Sequence, residues 1–383
     1  MRQLGLSSAL AVLAGLLASL LPAADQQLVC RNGKCERTIY GAAPAGSRLR
    51  VNAHGPVTLE GGVAKDLTYK IRVSVNARSE AEARRLLQQY TVKVDTQGQW
   101  TVLTAPGGAV MTSVSVSAPR LVAATVSTSD GAVEASGVDG LLDVDTRAGQ
   151  VSVDRIRGDS KLVTGGGDIQ VGQVGGALRC TTGAGKITVT RVGGEATLET
   201  VGGDIYARDA GGGIHAQTGG GGVHIVSAGG PVTAISGGGE IIVEKSGGVV
   251  TLRNMAGPVN VGSAMGVRCD SGSGGIRLMN ITGPMSVATS MGSISASLLG
   301  SRIADSYLAT GNGDITVLIP SNVGVTIRAQ NGMADTVRRI ISDFAAIQPR
   351  RQGTRVVAEG QVNGGGPLLQ ISGMGGTIFI KKQ

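Results

Sequence analysis

From residue 131 onward apolar and polar positions alternate in short runs, and the runs recur every 18 residues. Counted from a glycine at position 1, position 3 reads Val133, Val151, Ile169, Ile187, Ile205, Val223, Ile241 and Val259. Position 5 reads Ala135, Val153, Val171, Val189, Ala207, Ile225, Val243 and Val261. Most of these are β-branched, a shape that suits a pleated, half-buried strand, and the polar residues between them set a period of two. The second half of each repeat has its own inward pair at positions 12 and 14, such as Leu142 and Val144, or Leu178 and Cys180. Two short strands per repeat, stacked repeat on repeat, predict an all-β chain: a parallel β-solenoid with two strands per 18-residue rung.

Glycine punctuates this pattern, standing at every ninth position through residues 131–275. Gly167, Gly185, Gly203, Gly221 and Gly239 open successive rungs and are expected to be turn residues with φ > 0. Just before this turn, position 16 carries Thr128, Thr146, Thr164, Thr182, Thr200, Thr218 and then Ser236. Alternation points these hydroxyls inward, where they can bond turn backbone that burial would otherwise leave unpaired. The other turn places Val138, Ile156, Val174 and Val192 there instead, so the halves differ and the unit is 18 residues rather than nine. The period slips by one residue near Ser271 and by three between Thr289 and Thr310.

The flanks read differently. Residues 1–24 combine Arg2, an apolar run over residues 4–21 and the small pair Ala23-Ala24, the pattern of a secretory signal peptide. No later segment approaches the ~20 apolar residues needed to span a bilayer, so no transmembrane segment is expected after cleavage. The protein is therefore expected to be exported: periplasmic, outer-surface or extracellular. Residues 25–120 read as a small α+β N-terminal cap, with strand-like runs and one helix opened by the capping box Ser79-Glu80-Ala81-Glu82. That helix should run to about Tyr90, with Ala83, Leu86, Leu87 and Tyr90 on one face. Residues 121–320 are the glycine-rich solenoid and 321–383 a C-terminal cap, in which residues 334–344 look helical and residues 367–382 look like a closing strand pair.

Cysteine usage agrees with export. Asn32-Gly33 is a strong two-residue hairpin signal, which makes Cys30 and Cys35 a non-hydrogen-bonded pair with Cα atoms about 4.5 Å apart. A disulfide is expected there in an oxidising compartment. Cys180 sits at an inward position, and Cys269 lies about five rungs, roughly 24 Å, away from it, too far to pair.

The whole arrangement resembles the bacterial putative-adhesin family known by the label DUF4097. Three features carry the resemblance: the helix-to-strand run RSEAEARRLLQQYTVKV, the Gly-Asp-Ile units at Gly167, Gly203 and Gly313, and the final GGTIFIKK. It spans nearly the whole mature chain and implies a β-solenoid fold with an adhesin-like, non-enzymatic role. It brings no catalytic residue with it.

Charge adds one contrast. Residues 131–320 hold 13 Lys and Arg against 16 Asp and Glu, whereas residues 25–130 hold 13 against 8 and residues 321–383 hold 8 against 3. Basic ends on a near-neutral rod suit contact with an anionic cell-envelope polymer or surface, with Arg338, Arg339, Arg350, Arg351 and Arg355 as the candidate contacts. The plainer account, solubility and protection of the solenoid ends, is the stronger one. Nucleic acid is a poor partner, since aromatic residues make up only 2% of the chain and base stacking needs them.

The alternative reading is a carbohydrate-active β-helix. Position 2 carries Asp168 and Asp204 two rungs apart, about 9.6 Å, near the span of an inverting carboxylate pair, with Tyr206 close by. Lys186 sits between them, however, and an Asp–Lys–Asp stack relieves like charge on a structural column. Metal binding fits less well still. The turns lack the regular acidic ligand of calcium-binding rolls, and His215 and His224 fall at positions 13 and 4, on opposite faces. Both read as solvated surface residues, and no cofactor is expected.

Overall fold

The computed structural model describes residues 25–31, 34–44, 46–299, 303–332 and 339–383. The segment read as a signal peptide, Asn32 and Gly33, where a turn is expected, and Arg338 lie outside the described residues. The protein is a parallel β-solenoid of about 11 turns, with a single α-helix among the described residues. Each rung lays one strand in each of two sheets, and neighbouring rungs pair in register. Ile187 faces Ile169 and Ile205 in one sheet, and Cys180 faces Leu162 and Leu198 in the other.

The inward columns form the core. Val133, Val151, Ile169, Ile187, Ile205, Val223, Ile241 and Val259 are each at most 1% exposed. Positions 5, 12 and 14 are buried with them as far as Leu252, after which the one-residue slip turns Val267 and Cys269 inward. Each such side chain contributes about 1.5–3 kcal/mol of burial. Because every rung repeats the same residues, the core is a continuous apolar seam along the rod.

The position-16 column does what alternation predicts. Thr146, Thr164, Thr182, Thr200 and Thr218 are buried, and each donates from Oγ1 to the carbonyl of the glycine that opens its own rung. Each also accepts from the amide of the next rung's glycine, three residues on. Ser236 and the Nδ2 of Asn254 continue the donation to Gly221 and Gly239.

The glycines themselves are explained differently from the expectation. From Gly140 to Gly248 no member of the series has φ in the left-handed range. What excludes a side chain is the close stacking of successive turns. A Cβ on Gly203 would overlap the carbonyl of Gly185 one rung back, and one on Gly185 would overlap that of Gly167. A left-handed φ applies at only a few members, Gly131 (133°) among them.

Both ends depart from the sequence order. The rung made by Arg48–Ala53 and Val57–Glu60 lies between the rung of Trp100–Thr104 and Met111–Ser117 and the rung of Ala123–Thr128 and Val133–Ser136. The parallel stack therefore reaches well into the segment read as an N-terminal cap. At the other end Leu368–Gly373 and Ile378–Lys382 do not close the rod. They slot between Ser306–Asn312 with Ile315–Ile319 and Val325–Asn331 with Ile340–Ser342. Ile340–Ser342 is thus a strand where a helix was expected, because pairing with Ile378–Ile380 outweighs a local helical pattern. The one-residue slip also falls earlier than expected. Val243 faces Val261 at a spacing of 18 while Val250 faces Val267 at 17, which places the slip at the turn containing Met265.

Antiparallel strands finish the N-terminal end: Asp25–Arg31 on Lys34–Ala43, and that on Leu67–Asn76. The helix Glu80–Gln89 packs on these two longer strands through Ala83 and Leu87. Ser79 caps it by accepting from the Glu82 amide, and Arg37 donates to the Leu87 carbonyl at 2.7 Å, satisfying an end carbonyl. Cys30 and Cys35 face each other and are disulfide-bonded. Cys180 and Cys269 are free and buried.

Candidate functional site

The C-terminal arginines divide. Arg350, Arg351 and Arg355 meet in one exposed hairpin, where Arg350–Gln352 runs antiparallel to Arg355–Val362. Arg350–Gln352 is the outermost strand of its sheet, and consecutive arginines there discourage another strand from adding on. Arg339 lies beside the strand of the other sheet and donates to the Gly375 carbonyl at 3.4 Å. Of the five candidates, three share the hairpin and Arg339 lies on the other sheet, while Arg338 lies outside the described residues.

The carboxylate column is committed to backbone. Asp168 accepts from the Lys186 amide at 2.8 Å, and Asp204 from the Gly222 amide at 2.8 Å. Asp159, Asp305 and Asp314 make the same kind of bond to Ala177, Leu368 and Thr377. Each carboxylate thus holds an amide of the adjacent rung, a charge-assisted bond that staples neighbours. An Asp oriented in this way is poorly placed as a general acid or a nucleophile.

His224 is more engaged than a solvated histidine. Its Nε2 lies 2.7 Å from Glu244 Oε1, and its ring meets Tyr206 edge-on at 5.2 Å. Tyr206, His224 and Glu244 make a short polar ladder on the outer face of one sheet. His215 belongs to Ile214–Thr218 in the other sheet. Among the described residues no three His, Cys, Asp or Glu side chains gather as a metal site. Tyr307 lies in a recess of about 600 Å³ with Arg268 and Asp305.

One feature escaped the sequence reading. Along the corner opposite the threonine column runs a groove of about 1050 Å³ lined by Arg120, Arg155, Arg157 and Arg191, with Asp139 as its only acidic lining residue. Asp139 is held by Arg120 on one oxygen and by Arg157 at 3.0 Å on the other. Arg155 reaches Asp154 only at 3.8 Å, and Arg191 contacts Asp209 of the next rung at 3.3 Å. Charge counted over the whole rod averages this cluster away. Counting by repeat position would have found it, because Arg155 and Arg191 share position 7 and Arg157 follows at position 9.

The chain matches no protein-family profile and no curated protein by sequence. Among solved structures it is similar to a protein from Bacteroides fragilis described as "a putative adhesin", at 12% identity and a TM-score of 0.27, covering 73% of this chain and 96% of that one. It is also similar to "a putative cell adhesion protein" from Clostridium sporogenes, at 10% identity and a TM-score of 0.19, covering 91% and 100%. A third, from Parabacteroides distasonis, shares 11% identity at a TM-score of 0.25, covering 74% and 96%.

Proposed function

We propose that this is an exported, non-enzymatic β-solenoid that makes contact with other surfaces through the repeated outer faces of its rungs, in the manner expected of the adhesin-like DUF4097 family. The observation that carries the reading is the fate of the acidic column. Asp168 and Asp204, the pair with a spacing suited to sugar hydrolysis, each spend an oxygen on a backbone amide of the next rung. Regular outer faces and side chains engaged in holding rung to rung suit a rigid display rod. Export is supported by the signal-like N-terminus and by the Cys30–Cys35 bond.

The test has two parts. Non-reducing mass spectrometry of the protein from cell fractions should find it outside the cytoplasm, beginning near Asp25 and carrying the disulfide. The purified mature protein should bind members of a glycan array yet release no reducing or unsaturated ends from acidic or neutral polysaccharides. Sustained release, abolished by Asp204→Asn, would establish the carbohydrate-active alternative instead.

A further inference from the structure

We propose that the corner groove of Arg120, Arg155, Arg157 and Arg191 binds an acidic polysaccharide laid along the rod axis. The proposal deepens the surface-contact reading and rests on it. Four guanidinium groups line the groove against one lining carboxylate. With Asp154 and Asp209, which pair with Arg155 and Arg191, counted in, the cluster still carries a net positive charge on a rod whose repeats carry more acid than base. Guanidinium groups are planar donors that match carboxylates and sulfates two bonds at a time. The groove already shows the match, with the Asp139 carboxylate held between Arg120 and Arg157. The four side chains remain 62–74% exposed and keep donors for a ligand.

Spacing favours a polymer with regularly placed acid groups. Arg155 and Arg191 occupy the same repeat position two rungs apart, about 9.6 Å from the strand spacing, comparable with the acid groups of every second sugar in a polyuronate. Gly175 and Gly193 form part of the lining, where close stacking of the turns excludes side chains and keeps the groove floor backbone. No aromatic side chain lines the groove, so a nucleobase has nothing to stack on. Its apolar lining residues, Ile156 and Val174, are 2% exposed and offer nothing to a bilayer.

Backbone strain provides an independent observation. Arg155 has φ 55°, in the left-handed region that non-glycine residues rarely adopt. The rung before it uses Gly137, φ 72°, at the same repeat position. The kink ends the strand Val151–Asp154 and leaves Ile156 as an isolated bridge to Val174. A large cation stands where glycine would be free of strain, which is the pattern expected when the side chain serves a purpose other than stability.

This strain makes the test sharp. Binding of the mature protein to polygalacturonate, alginate and heparin would be measured by biolayer interferometry, with dextran as the neutral control. The double variant Arg155→Gly/Arg191→Gln should bind about tenfold more weakly or worse, as loss of charge-assisted contacts implies, while melting no lower than wild type. Preference for the two uronates or for heparin tells carboxylate from sulfate recognition, and either supports the site. Arg350→Gln/Arg351→Gln on the C-terminal hairpin should leave binding intact. Unchanged binding by the groove variant, loss confined to the hairpin variant, or a wild-type preference for single-stranded DNA or phosphatidylglycerol vesicles would each overturn the proposal. Binding to neutral glycans alone would also overturn it while leaving the surface-contact reading standing. Binding to no glycan at all would remove both.

Discussion

Thr182 donates from Oγ1 to the Gly167 carbonyl at 2.8 Å, and the same oxygen accepts from the Gly185 amide at 3.2 Å, so one hydroxyl ties two successive glycine turns. The Gly185 amide is buried and the Gly167 carbonyl partly so. Thr182→Val keeps the shape and removes both bonds, and it should cost about 1–3 kcal/mol in urea unfolding. Thr182→Ser, which keeps the hydroxyl, should cost clearly less. Equal losses for the two variants would mean that the methyl, and not the bonding, matters.

Gly203 and Gly202 are neighbours with opposite tolerances. A Cβ at Gly203 would overlap the Gly185 carbonyl, whereas one at Gly202 meets nothing within 4 Å. Gly203→Ala should destabilise by about 1–3 kcal/mol through overpacking, and Gly202→Ala should stay within about 0.5 kcal/mol of wild type. Thermal melts of the two proteins side by side decide the matter.

Removing residues 203–220 excises one whole rung and leaves every column in phase, since Ile187 would then face Val223 as it now faces Ile205. Stability in a stacked array is roughly a sum over neighbours, so that protein should fold with a modestly lower Tm. Removing only residues 203–211 sends each later strand to the opposite sheet and sets the threonine column on the Val192 corner. Limited proteolysis should find the first protein resistant and the second degraded or insoluble. Comparable resistance would contradict an 18-residue unit.

Alkaline pH should weaken the fold. Burial, with the nearby Asp270 charge adding to it, pushes the Cys269 thiol from 9.0 to about 12, and burial pushes Tyr90 from 10.0 to about 12. Cys180, fully enclosed, is shifted in the same direction. These groups ionise earlier in the unfolded chain than in the folded one. Their contribution is therefore intact below about pH 9 and is lost as pH rises from there toward 12. Urea midpoints should fall between pH 8 and 11, less steeply in Tyr90→Phe. Native protein at pH 8 should also resist alkylation at Cys180 and Cys269 until it is unfolded.

The 18-residue columns, the paired strands, the inward threonines, the Cys30–Cys35 hairpin and the Ser79-capped helix were all legible in the residues alone. They depend on local alternation and on contacts with the next repeat, and a repeat writes its nearest neighbours into the sequence. Two things were not legible, and a third only in part. The glycines are required by backbone stacking rather than by φ, because the distance between turns is a property of the assembled rod. The end rungs pair out of order, with Arg48–Ala53 between Trp100–Thr104 and Ala123–Thr128, because non-repeating strands carry no register signal until a neighbouring edge selects them. The arginine groove was legible in part: repeat position aligns Arg155, Arg157 and Arg191, but only the coiling of successive rungs adds Arg120 and makes one groove of them. Alternation along the chain decides which side of a strand a residue faces, whereas stacking decides which other residues share that side.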